Sequence, residues 1–304
     1  MKYKKLGNKI IIEDLSQFNI KQILDCGQIF RYYISNNLAE VVSVDKYARI
    51  TTFEDRVEIL SNDIAYFEQF FDLNRDYNAI KNNLKDDNFL KPAIKYGYGI
   101  RILNQDVFEM IVSFIISANN NIKRIKNSLN YLSKKFGTKQ TFKLEECASK
   151  LEEGAINLAN SPLSQGNDIV EYYAFPTLKQ LKQASVADYV GAGLGYRAEY
   201  MYDTIQKLTE QDILKFKTLK GDEQLQFLLN LKGVGEKVAH CILLFACHDT
   251  TRFPVDTWIN KVYNDLTNST TTNRKEISRD LTSRYGNLSG YAQQYFFYYY
   301  RENK

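Results

Sequence analysis

Cysteine and histidine are scarce in this 304-residue chain, which has four Cys and two His. Cys26, Cys147, Cys241 and Cys247 show no C-x-x-C spacing, and they are too few and too scattered for the disulfide framework of a secreted protein. A reducing cytoplasm is the expected compartment. With only His240 and His248 to add, a zinc site has little support. A cluster held by four closely spaced cysteines is disfavoured as well. The N-terminal stretch carries no long apolar segment before its first acidic residues, so no signal peptide is expected. No apolar run reaches the roughly 18 residues of a membrane-spanning helix. Internal repeats and low-complexity tracts are also missing.

The chain is long enough for two or three structural units around one or two cores. Hydrophobic residues make up 44% and charged residues 25%, ordinary for a globular protein. Aromatics are abundant, with 22 Tyr and 18 Phe. The net charge of +4 is mildly basic and is compatible with nucleic-acid binding if the charge is clustered.

The first third is β-rich. Val42 and Val44, Ile50 and Thr52, then Val57 and Ile59 alternate with polar neighbours, the pattern of half-buried antiparallel strands. Polar breaks at Asp45-Lys46 and Glu54-Asp55 separate them. Short helices follow over Ile64–Leu73 and Tyr77–Leu84. Asp106 and Glu109 form a capping box before a run that is apolar nearly all round, predicting a buried central helix. In the next helix Ile122, Ile125, Leu129, Leu132 and Phe136 share one face, and Gly137 stops it. Residues 162–171 are expected to be a loop, and Thr177 caps the helix after it. The expected fold is α+β: an N-terminal antiparallel β domain with short helices over residues 1–97, then a mostly helical domain over 98–304.

The densest chemistry lies between Leu231 and Asp256. Leu225, Leu228, Leu229 and Leu231 predict a short amphipathic helix, Gly233-Val234-Gly235 a turn, and Glu236 to about Cys247 a second helix, a hairpin over about 224–247. Free N–H groups at the second helix's start can hold a phosphate. Without further context, Gly-Val-Gly also reads as an ordinary helix–helix turn. Lys237 sits in that helix's first turn, where the dipole disfavours a cation and desolvation would favour the neutral, nucleophilic amine. A solvated surface lysine is the bland alternative. Asp256, after Pro254-Val255, is expected to cap the next helix, and a carboxylate held that way can also steer charge and protons at a reacting sugar.

This segment resembles the helix-hairpin-helix, Gly-Pro-Asp signature of the DNA glycosylase superfamily, and Lys237 with Pro254-Val255-Asp256 resembles its 8-oxoguanine DNA glycosylase/AP lyase branch. The resemblance implies Lys237 as nucleophile and Asp256 as catalytic carboxylate, with Gly233, Gly235 and Val238 of the hairpin on DNA. Cys26-Gly27-Gln28-Ile29-Phe30-Arg31 is similar to the family's G-Q-x-F-R segment, in which the glycine carbonyl accepts from N7–H of the oxidised base. Guanine lacks that hydrogen, so one unpaired acceptor discriminates against it. Ser117 to Ile122 resembles the S-x-N-N-N-I element, which implies that Asn119 fills the gap left by the extruded nucleotide and that Arg124 reads the orphaned cytosine. Gly195-Tyr196-Arg197 is similar to a second such element, with Tyr196 as wedge and Arg197 as the other cytosine reader. In the C-terminal helix Gln293 would bind the base's Watson–Crick edge and Phe297 would stack on it, with Cys241 on the opposite face. Trp258 stands where many relatives have a phosphate-contacting histidine, and His240 where an aspartate is common.

The resemblance implies an enzyme that acts on duplex DNA containing 8-oxoguanine opposite cytosine, as a monomer, without a cofactor and away from any membrane. It would lie in the cytoplasm, with the nucleoid if prokaryotic. Other readings remain: a glycosylase of this fold for another damaged base, a non-catalytic hairpin DNA binder, or a helical interaction protein without steep salt-dependent DNA binding.

Overall fold

The period-two patterning of the first third builds an antiparallel sheet. Strands β1 (Tyr3–Leu6), β2 (Lys9–Ile12), β3 (Tyr32–Ser35), β4 (Leu38–Ser43), β5 (Lys46–Thr52) and β6 (Val57–Ser61) lie in the order β1-β2-β6-β5-β4-β3. Ile59 pairs with Ile10 on β2 and Ile50 on β5, so three apolar side chains meet in one rung. Helix α1 (Ile20–Asp25) packs Ile23 and Leu24 into this core, and α2 (Ile64–Phe70) adds Phe67 and Phe70. The computed structural model describes residues 1–144 and 169–303.

The helices follow in sequence: α3 (Tyr77–Leu84), α4 (Leu90–Tyr96), α5 (Val107–Ser117) and α6 (Ile122–Phe136). A two-stranded ribbon, β7 (Lys139–Lys143) with β8 (Ile169–Tyr173), separates these from α7 (Leu178–Leu181), α8 (Val186–Gly191), α9 (Arg197–Lys207) and α10 (Glu210–Thr218). Then come α11 (Asp222–Leu229), α12 (Glu236–Ala246), α13 (Thr257–Thr267), α14 (Arg274–Tyr285) and α15 (Ser289–Asn303). Helix α5 is buried from Val107 to Ile116, as its all-round apolar pattern requires. The two cores are not strictly sequential. Leu103 belongs to the sheet's core, whereas Cys26, Phe30, Tyr77 and Leu90 pack with the helices.

Three local expectations are corrected. Val44 is not a strand residue. It sits in the β4–β5 turn at φ 54°, uncommon for a β-branched side chain. Its N–H donates to Glu109 at 2.8 Å and its carbonyl accepts from Phe175 at 2.6 Å, which holds it there. Asp106 does cap α5, accepting from Phe108 and Glu109 N–H, but Glu109 does not complete a box. Its carboxylate turns instead to Val44 and to Arg31, whose guanidinium lies 3.6 Å away in a buried ion pair. Ile169, Val170 and Glu171, expected in a loop, begin β8, with Val170 buried against Phe142 on the partner strand. Residues 162–168 and Cys147 lie outside the described residues. Among the described residues no helix is long and apolar enough to cross a membrane.

Candidate active site and nucleic-acid interface

The hairpin forms as its sequence dictates. Helix α11 ends at Leu229, and α12 begins at Glu236 with Gly235 as N-cap. Gly233 has φ 86°, and a Cβ there would press to 3.1 Å from Tyr200 and 3.4 Å from Ile115, so both conformation and space demand glycine. The Thr204 hydroxyl donates to the Lys232 carbonyl at 2.9 Å and pins the turn to α9. Gly235 offers no side-chain acceptor, and its face is open, with nothing within 4 Å of a Cβ position. The first-turn N–H groups of α12 therefore lack a side-chain cap and are available to an anion.

Lys237 is half-buried on this first turn, with Nζ 5.7 Å from the centre of the Phe114 ring on α5. One turn on, burial pushes the Cys241 thiol up, while Lys237 pulls it down. Asp256 acts on the same thiol with the opposite sign, so the charges of both residues reach Cys241. Asp256 caps α13 by accepting from Ile259 N–H at 2.9 Å, the role its sequence position predicts. Val238 is buried beneath the hairpin, and Trp258, also half-buried, carries the Lys261 ammonium 4.5 Å from its ring centre.

A second group forms where the N-terminal segment meets α15. Gly27 has φ 80°, and a Cβ on it would stand 2.8 Å from the Phe297 ring, so only glycine lets the turn close on that ring. The turn is braced by the buried Gln28 amide. It donates to the Ile23 and Arg101 carbonyls and accepts from Leu103 N–H, at 3.0, 2.7 and 2.9 Å. Gln293, one turn before Phe297, is buried, and its Oε1 accepts from Gln294 at 2.7 Å. Phe30, from the same N-terminal segment, meets Phe114 edge-on at 5.7 Å. That contact joins the Gly27 segment to the ring beside Lys237.

The three asparagines between α5 and α6 do different work. Asn119 is exposed and left-handed at φ 49°. Asn120 donates back to the Ile116 carbonyl at 3.1 Å, and Asn121 caps α6 through Arg124 N–H at 3.0 Å. The Arg124 side chain is exposed at the start of α6. Arg197 is buried and holds the Ala118, Asn119 and Leu194 carbonyls at 2.6, 2.7 and 3.1 Å. Tyr196, stacked against that guanidinium at 4.5 Å, is 58% exposed. Asn119, Tyr196 and Arg197 are thus brought together, with Tyr196 protruding. Tyr200 meets Tyr196 edge-on at 6.0 Å and also lies against Gly233, tying this point to the hairpin.

Sequence reasoning misses Phe114, Tyr200 and Arg301. Phe114 is one apolar residue in an apolar run, and its proximity to Lys237 leaves no mark in the chain. Arg301 has a signal, since it continues the helical spacing of Gln293 and Phe297. His240 is half-buried on α12, and burial lowers its basicity, aided by the nearby Arg252 charge. Among the described residues no three His, Cys, Asp or Glu side chains converge as metal ligands.

Comparison with known proteins matches residues 10–111 to the model of the 8-oxoguanine DNA glycosylase N-terminal domain. Residues 112–286 match the HhH-GPD superfamily of base excision DNA repair proteins. The chain is 31% identical over 240 residues to a probable N-glycosylase/DNA lyase of Methanothermobacter thermautotrophicus, covering 76% of this chain and 72% of that protein. It is 28% identical over 284 residues to the N-glycosylase/DNA lyase of Saccharomyces cerevisiae, covering 81% and 68%. Among solved structures, the 8-oxoguanine glycosylase/lyase of Clostridium acetobutylicum, in complex with duplex DNA bearing cytosine opposite 8-oxoguanine, superposes with a TM-score of 0.85. That pair shares 34% identity and covers 100% of this chain and 98% of the other.

Proposed function

The chain belongs to the 8-oxoguanine DNA glycosylase family of helix-hairpin-helix base excision repair proteins, and from that premise we propose that it excises 8-oxoguanine from duplex DNA and nicks the strand at the resulting site. The observation that carries this reading is Lys237, half-buried beside the Phe114 ring on the uncapped first turn of α12, with Asp256 fixed as the cap of α13.

The hairpin N–H groups grip a backbone phosphate and set the sugar of the damaged nucleotide before Lys237. Lysine Nζ attacks C1′, and the C1′–N9 bond breaks with its electron pair leaving on the base. Asp256, rigid in its cap, stabilises positive charge that builds on the sugar and assists proton transfers. The sugar ring opens to an imine on Nζ. Loss of a C2′ proton then expels the 3′ phosphate by β-elimination. Tyr196 enters the stack and Asn119 the vacated space, offsetting the roughly few kcal/mol of unstacking. Arg124 and the guanidinium hydrogens that Arg197 does not spend on carbonyls face the cytosine. The Gly27 carbonyl accepts from N7–H of 8-oxoguanine, Gln293 binds its Watson–Crick edge, and Phe297 stacks on it.

Borohydride trapping on a duplex with 8-oxoguanine opposite cytosine tests the reading. Wild type yields a covalent protein–DNA adduct and Lys237→Gln yields none. A folded wild type that binds this DNA tightly without an adduct refutes the lyase chemistry, leaving a monofunctional enzyme or a non-catalytic binder.

A further inference from the structure

Helix α15 carries a third residue at the spacing of Gln293 and Phe297. Arg301 follows Phe297 by one turn, and its guanidinium centre lies 5.3 Å from the Phe297 ring centroid. Nη2 donates to the backbone carbonyl of Asp25, the last residue of α1. Nε and Nη2 both reach the Glu302 carboxylate, at 3.0 and 2.8 Å. Nη1 is buried, has no hydrogen-bond partner, and lies 3.8 Å from where a Cβ on Gly27 would stand. One side chain therefore touches the ring and the turn, and ties the C-terminal helix to the N-terminal segment.

Asp25 is held from its other side as well. The Tyr32 hydroxyl donates to its carboxylate at 2.7 Å, and the Tyr32 ring lies 3.2 Å from Lys126 Nζ on α6. The peptide before Cys26-Gly27 is thus clamped through both its carbonyl and its side chain. Gly27 itself, with no side chain and a left-handed φ, contributes nothing to fixing its own carbonyl.

We propose that Arg301 is a positioning residue for damaged-base recognition, setting the Gly27 carbonyl and the Phe297 ring in the relation that 8-oxoguanine requires. The inference rests on the base-pocket reading given under Proposed function. A hydrogen bond that distinguishes two bases by one proton is sensitive to acceptor placement, since it weakens steeply off its preferred distance and angle. Arg301 acts through Gly27 and Phe297 and has no part in the chemistry at Lys237.

The test compares two substrates with one set of variants. Arg301→Met keeps a long stem and removes the donors. It is expected to lower kcat/KM for release of 8-oxoguanine by about tenfold or more. Cleavage of a duplex with a preformed abasic site stays within about twofold, because that substrate has no base to hold. Arg301→Lys, which retains a cation and a donor, recovers part of the loss. Equal falls on both substrates would reduce Arg301 to fold support and overturn the assignment. Undiminished 8-oxoguanine release by Arg301→Met would overturn it too. If the Met variant fails to fold, Arg301→Lys carries the same comparison, with a selective loss supporting the assignment and parallel or absent losses overturning it. A wild type that cuts abasic DNA but ignores 8-oxoguanine defeats the underlying function and this assignment with it, and that failure is visible before any substitution is made.

Discussion

Helices α12 and α13 begin within one short stretch of chain, and their N-termini are finished in opposite ways. Helix α13 is closed by its own carboxylate, with Asp256 accepting from Ile259 N–H at 2.9 Å. Helix α12 begins at Gly235, with no side-chain acceptor and open space beside it. A helix end optimised for stability alone would resemble the first, since Asp is among the preferred caps. The second leaves its donors to something from outside the chain and carries Lys237 where the dipole disfavours a cation. The difference teaches that one helix end is completed within the chain while the other is left open, as the proposed phosphate grip beside Lys237 requires.

The comparison breaks most completely at Lys237. Lys237→Gln is expected to reduce strand cleavage and adduct formation by more than about a thousandfold, measured in single-turnover assays, while retaining duplex binding. Binding that falls in parallel would show that the lysine serves affinity instead.

Asp256 separates the two roles of a cap. Asp256→Asn keeps a good capping side chain, so thermal stability holds while base release falls by about a hundredfold or more. Asp256→Ala adds a loss of about 1 kcal/mol in denaturant titrations. Equal stability losses in the two variants would contradict the cap.

Gly235→Asp gives α12 the finish of α13. The open Cβ position accommodates it. Stability rises by about a few tenths of a kcal/mol, the Gly-to-Asp difference at an N-cap. Duplex affinity falls, and the slope of log K against log salt becomes shallower by about one, as when a single phosphate is no longer gripped. An unchanged slope would remove the phosphate from this helix end.

The smallest effect is a pH dependence further along α12. His240 is held below its ordinary basicity by burial and then by Arg252. A depressed folded-state value means that the unfolded chain binds the proton first as pH falls. The associated stability is present above about pH 6.5 and is lost as pH drops through the folded-state value. The melting temperature of wild type should therefore fall more steeply below that pH than that of His240→Gln.

Much of this is legible in the chain. Apolar spacing and caps mark α5, α6 and the hairpin, because those signals are local. The glycines at 27 and 233 are visible as turn residues, but their left-handed φ and their contacts with Phe297 and Tyr200 appear only in the fold. Glu109 reads as half of a capping box because its true partner, Arg31, lies far away in sequence. The β7–β8 ribbon escapes because its strands are distant in sequence and the start of β8 overlaps a polar stretch that looks like loop. Arg197 is marked by resemblance as a cytosine reader, but nothing local marks it as buried, since its burial follows from the way α5 and α9 meet.

The β4–β5 turn reaches further than its size suggests. Val44 is bonded on one side to Glu109 of α5 and on the other to Phe175, the second residue past β8. Three separate stretches of chain are joined at a single residue, with the buried Arg31–Glu109 pair beside it. Moving the sheet against α5 at this point would cost both hydrogen bonds of Val44 at once, so a turn of a few residues couples the two cores.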